Sequence, residues 1–181
     1  MIKTAIAAFG LLALSSGAAF ADGCATTSSE SISFGDNIAE AVAIGDDCAN
    51  SVALIIVRDG DGSPLYSHAT PARYLFGFYE VTDERSMADF LDELIGVPSG
   101  GGAFTSSELP EWPEGADFPG GNFISGEFPF YPEEWVDRGE YLRFQSMDAP
   151  VWCHVQGQES SACLIIDGDR LYKIGVQTFP G

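Results

Sequence analysis

The chain has 181 residues, with 27 acidic against 8 basic side chains, a net charge of −19 and a mean hydropathy of +0.07. That balance argues against a nucleic-acid surface, which needs clustered Lys and Arg to hold phosphates, and against attachment to anionic lipid. It leaves a cationic protein, a metal ion or a neutral ligand as partners. No apolar run reaches the ~20 residues that cross a bilayer, so no membrane span is expected.

Residues 1–21 read as a cleaved signal peptide: Lys3 supplies the positive start, residues 5–14 the apolar centre, and Ala19-Phe20-Ala21 the small-x-small cleavage site. Asp22, and the lack of a Leu before Cys24, argue against lipidation at that cysteine. Cleavage after Ala21 leaves residues 22–181, a size that suits one domain, exported to a periplasm or secreted. Loss of Lys3 leaves 7 basic against 27 acidic residues, net −20. Four cysteines, an even number in an oxidising compartment, imply two disulfides. Cys24–Cys48 and Cys153–Cys163 are the favoured pairs because each is local.

Residues 22–33 are small and polar and are expected to be poorly ordered apart from Cys24. Asp36 is placed to cap a short helix over 37–44, stopped by Gly45. Residues 51–58, Ser-Val-Ala-Leu-Ile-Ile-Val-Arg, are apolar on both faces and predict a central strand. The turn Asp59-Gly60-Asp61-Gly62 leads to a short partner strand over 65–69. That turn is not a calcium loop: Pro64 stands where Gly is needed, and the twelfth position is Thr70 rather than Glu. Alternation over 73–81 predicts a third strand. Residues 86–95 predict a helix capped by Ser86, with Met87, Phe90, Leu91, Leu94 and Ile95 on one buried stripe, Asp92 and Glu93 in water, and Gly96 as the stop.

Residues 97–131 form a long Gly/Pro/aromatic acidic loop. Across 87–137 there is no Lys, Arg or His against eleven carboxylates. Long irregular segments in small domains are often functional, and this one is too aromatic for simple disorder. Pro132-Glu133-Glu134-Trp135 predicts a helix start, split at Gly139 and continuing over 141–147 until Pro150. A three-stranded meander follows at 151–155, 161–166 and 171–179, turning at Asp167-Gly168 or Gly168-Asp169. Its core face is expected to hold Val151, Cys153, Val155, Cys163, Ile165, Tyr172, Ile174 and Val176. The other face, with Trp152, His154, Leu164, Ile166, Lys173 and Gln177, is expected to be half covered. The expected fold is α+β: a mostly antiparallel, disulfide-stabilised sheet of about six strands with one or two helices packed on it.

Chemical motifs are sparse. The two histidines, His68 and His154, lack the spacing of a zinc site. No G-x-S-x-G elbow marks a hydrolase, and no cofactor or metal is expected. Charge and compartment favour a binding module over an enzyme, with Trp112, Glu108, Glu111, Glu114, Phe118 and Trp135 of the acidic stretch as the contact residues. The expected partner is a cationic protein, for example a secreted enzyme of lysozyme type, or a glycan. A carbohydrate-active hydrolase using the loop carboxylates and an envelope scaffold without ligand are the alternatives.

Overall fold

A computed structural model of the protein describes Cys24 and residues 27–96, 103–120 and 130–178. The expected signal peptide, the Gly100-Gly101-Gly102 run, residues 121–129 of the long loop and Phe179 lie outside the described residues. The fold is α+β with both disulfides, but its strands form two antiparallel sheets instead of one.

The first sheet contains β1 (Thr27–Ser28), β2 (Ile32–Phe34), β3 (Asn37–Ile44), β4 (Val52–Arg58) and β5 (Pro64–Pro71). β3, β4 and β5 are successive neighbours, and β1 and β2 share the outer edge of β3. Where that edge is interrupted, Ser29 Oγ accepts the Ala41 amide at 2.8 Å. Of the stretch 22–33, Thr27, Ser28, Ile32 and Ser33 are thus in strands, and the expected helix at 37–44 is β3. Its alternation decides the matter: Ala39, Ala41 and Ala43 all face the core, while Ile38, Glu40, Val42 and Ile44 face outward. Alanine suits this inward row because α1 (Glu84–Ile95) packs on β3, and small side chains let it approach.

The expected strand over 73–81 is a pair of 3-10 turns, Ala72–Tyr74 and Phe78–Glu80. Gly77 between them has φ 87°, a left-handed conformation that glycine adopts freely and that breaks a strand. Leu75 is buried, whereas Tyr74, Phe76 and Tyr79 are exposed. In α1 all five residues of the predicted stripe are buried. The cap is Asp83, accepting from the Ser86 amide at 2.8 Å, and Ser86 completes the box from the third position. Gly96 ends the helix in the left-handed region.

The second sheet has the order β6 (Ala103–Thr105), β8, β9, β10, β7 (Phe130–Pro132), with β8 spanning Pro150–Val155, β9 Ser160–Asp167 and β10 Arg170–Thr178. The meander is therefore as expected, and Gly168-Asp169 is the turn. Cys153 lies opposite Cys163 with 4.0 Å between Cα atoms, and Cys24–Cys48 ties the N-terminal arm to a 3-10 turn (Cys48–Asn50) ahead of β4.

Both faces of this sheet are buried, which corrects the expectation of a half-covered face. Trp152, His154 and Leu164 turn toward the first sheet and α1, forming one core with Phe34 and Ile55. Trp152 Nε1–H donates to the last carbonyl of α1, Ile95, at 3.3 Å. The opposite face, with Val151, Cys163, Ile165 and Ile174, is covered by α2 (Arg138–Met147) through Tyr141 and Phe144. A bulge between Lys173 and Gly175 shifts the register of β10, so Val176 pairs with Ala162 on the first-core side and not with the expected face. Gly175 sits under β7: a Cβ there would lie 2.6 Å from the Tyr131 carbonyl oxygen.

The helix expected from Pro132 begins later. Asp137 caps α2 by accepting the Glu140 amide at 2.8 Å, Gly139 lies inside the helix without splitting it, and Asp148 in the left-handed region ends it. The long loop is less irregular than expected, because β6 and β7 are its two ends, one at each edge of the second sheet.

Candidate binding surface

The described part of the acidic segment, 103–120, is fastened to α2 by three hydrogen bonds. Tyr141 Oη–H donates to the Pro110 carbonyl at 2.8 Å, Gln145 Nε2 to Leu109 O at 2.8 Å, and Arg138 Nε to Trp112 O at 3.0 Å. Beyond Trp112 the chain closes on itself. Gly120 N–H donates to Glu111 O at 3.0 Å, Trp112 Nε1–H to Ala116 O at 2.9 Å, and Gly115 turns with φ 82°. The result is a small anchored loop whose side chains divide into two groups.

One group is structural. Trp112 is half-buried in the second core and meets Tyr141 edge-on at 5.3 Å, so it is not an unpartnered ring. Glu108 accepts the Thr105 amide at 2.9 Å and caps the 3-10 turn Ser106–Glu108. The other group faces outward: Glu111, Glu114 and Asp117 are exposed, and Phe118, 45% exposed, packs on Tyr131, 43% exposed, at 5.5 Å. Trp135 is 50% exposed but belongs to a separate ring cluster with Phe144 at 6.0 Å and Tyr172 at 5.7 Å. The six residues singled out in the sequence therefore do not form one constellation. Glu111, Glu114 and Phe118 share a loop, Tyr131 joins them, and Trp112 and Glu108 hold that loop in shape. The period-2 pattern of residues 130–132, with Phe130 buried and Tyr131 outward, is the signal that could have identified Tyr131.

The two histidines come together although their spacing does not suggest it. His68 on β5 and His154 on β8 have ring centroids 5.5 Å apart in the contact between the sheets. His154 is fully buried. Its Nδ1 pairs with Val155 O at 3.0 Å, and Tyr66 Oη lies 2.9 Å from its Nε2. The tautomer that satisfies both contacts carries the proton on Nδ1 and accepts from the tyrosine. Burial pushes the His154 pKa down to about 3 and, with the Glu133 charge adding to it, the Tyr66 pKa up to about 12. Burial and the charge of Lys173 lower His68 as well, and its Nε2 pairs with Thr70 Oγ1 at 2.8 Å. A neutral imidazole held by an un-ionised phenol neither activates a nucleophile nor leaves a free metal ligand. It is a polar link inside the core. Among the described residues no group of three or more His, Cys, Asp or Glu is arranged to hold a metal ion.

A cleft of about 460 Å³ opens where three strand turns meet, with Asp36, Asp59, Asp169 and Arg170 at its rim and Leu65 and Ile166 in its wall. The Asp59 carboxylate already accepts the amides of Asp61 and Ser63, so it shapes the turn. No helix among the described residues is long and apolar enough to cross a membrane. No protein-family model, curated protein or solved structure matches the chain.

Proposed function

We propose that the protein is an exported acidic binding module that captures a cationic protein through the 111–118 loop and the adjoining Tyr131. The carrying observation is the Phe118–Tyr131 pair, two aromatic rings left nearly half in water on an anchored loop beside Glu111, Glu114 and Asp117. Exposed aromatic side chains on rigid supports are where binding energy concentrates. The carboxylates would speed encounter with a basic partner, an effect that salt screens. Cleavage after Ala21 and delivery to a periplasm complete this reading, and the two disulfides are compatible with an extracellular or periplasmic location. A secreted cationic enzyme, held or inhibited, is the concrete partner class.

The test is surface plasmon resonance against a panel of cationic secreted proteins and glycans. Glu111→Gln/Glu114→Gln/Asp117→Asn should lower the on-rate and flatten its dependence on salt, and Phe118→Ala should raise the off-rate, with melting temperature unchanged in both. Trp112→Ala should instead destabilise the fold. No binding by the wild type to any cationic member, or kinetics unmoved by these changes, overturns the proposal. Turnover of a glycan would point to the hydrolase.

A further inference from the structure

The strand Val52–Arg58 is apolar at every position but its last, yet only one of its faces is fully buried: Ala53, Ile55 and Val57 are buried inward, while Val52 is exposed and Leu54 and Ile56 are half-buried on the outward side. The register aligns two of these with apolar neighbours on both sides: Val52 stands between Ile44 and Pro71, and Leu54 between Val42 and Ala69, while Ile56 stands between Glu40 and Ser67 at the edge of the patch. Ile38 is 47%, Ile44 52% and Val52 39% exposed. An antiparallel sheet with one face in water ordinarily places polar residues there, and a contiguous apolar face marks an interaction site.

We infer that this outer face of the first sheet is the contact between two copies of the chain. Charge selects the occupant. Glu40 is the only Asp or Glu on any strand of the first sheet, and Arg58 neutralises it at 3.1 Å. On a chain with 27 acidic residues, this is a surface on which two copies meet without bringing carboxylates together. A basic partner finds here only Glu40, already paired with Arg58. A two-fold axis makes the same patch self-complementary, the commonest arrangement of homo-oligomers. Size sets the strength: strands ~4.8 Å apart with a rise of ~3.3 Å per residue make the β3–β4–β5 face roughly 15 by 25 Å. Two such faces stacked ~10 Å apart cover roughly 750 Å², below the ~1,200 Å² of stable specific interfaces and in the range of weak, transient ones. The dimer is therefore weak and concentration-dependent.

Sedimentation equilibrium on the disulfide-intact protein, from about 1 to about 500 µM, tests this. The average mass should rise from one chain toward two. The rise should grow between about 0.05 and about 0.5 M salt, because screening relieves repulsion between two acidic bodies. Capture of a cationic partner must weaken over the same range, so the two proposals fail separately. Ile44→Glu and Leu54→Glu, both at outward positions, should stay monomeric at every concentration while keeping the wild-type far-UV spectrum and melting transition at low concentration. A wild type that stays monomeric throughout overturns the inference, as it would if another segment of the chain or a different protein covers the face. Assembly beyond two copies, or variants that dimerise like the wild type, overturns it too.

Discussion

Acid should loosen this fold through His154 well before the carboxylates titrate. The ring is enclosed between the sheets, and the charged or titratable groups around it are His68, Tyr66 and Lys173, with Glu133 already committed to Lys173 at 2.7 Å. Its folded pKa is pushed down to about 3, whereas an unfolded histidine titrates near ~6.5. Between those values the unfolded chain binds the proton and the native chain does not. Stability therefore falls as pH falls, by up to about 1.4 kcal/mol per pH unit. It is complete above about pH 6.5 and keeps declining toward pH 3. Below about pH 4.5 protonation of the many carboxylates relieves their mutual repulsion and acts the other way. The diagnostic window is therefore about pH 6.5 to 5, where His154 alone should remove about 2 kcal/mol. His68, depressed for the same reason, adds to the loss. The control is Tyr66→Phe/His154→Leu, which replaces both partners of the hydrogen bond by apolar groups and leaves no orphaned donor. Urea unfolding followed by tryptophan fluorescence at several pH values gives the slope for each protein. The double variant should lose most of the wild-type slope, and the remainder reports His68. Equal slopes, or a wild-type stability that is flat across the window, would refute the burial of a neutral imidazole.

Two further predictions concern the framework. Cys153→Ala/Cys163→Ala should lower stability by on the order of 2 to 3 kcal/mol, since the bridge closes a short loop in the unfolded chain; equal thermal midpoints under oxidising conditions would show that it staples nothing. Leu91→Ala should destabilise by about 2 to 5 kcal/mol, because the side chain is fully buried. Asp92→Ala, one position along the same helix, should cost about 1 kcal/mol, because its carboxylate accepts the Glu30 amide at 2.6 Å and ties the N-terminal edge to α1. Denaturant melts that rank the two variants alike would mean the helix presents a different face.

What was legible in the sequence was local. The stripe of α1, its Gly96 stop, the β8–β10 meander and both cysteine pairs rest on spacings of a few residues, and each is present. The missed features depend on distant partners. Ala39, Ala41 and Ala43 suit a helix or a strand, and it is α1, more than forty residues away, that makes an inward row of alanines useful. The alternation over 73–81 resembles a strand until Gly77 turns. Trp152 and His154 looked half covered because nothing nearby shows that a second sheet lies over them. The meeting of His68 and His154 is a sheet-to-sheet contact that spacing along the chain cannot encode. Trp112 reads as a contact residue in the sequence because the groups that fix its loop, Arg138, Tyr141 and Gln145, belong to α2.

The same topology changes why the acidic segment matters. Its length first pointed to function, yet β6 and β7 occupy opposite edges of a five-stranded sheet. At ~4.8 Å per strand spacing, any connection between them has to bridge about 19 Å, and this one also passes under α2, where Leu109 and Trp112 help to close the second core. Part of the length therefore has a structural cause, and so do two of the expected contact residues, Trp112 and Glu108. What structure leaves unexplained is narrower. Phe118 and Tyr131 place aromatic area in water, which a fold with two well-filled cores has no need to do, and among the described residues no amide caps the carboxylates around them as the Thr105 amide does Glu108. Function is better sought in residues the fold does not consume than in the length of the loop that carries them. By that criterion the segment contracts from 97–131 to the few side chains around the Phe118–Tyr131 pair.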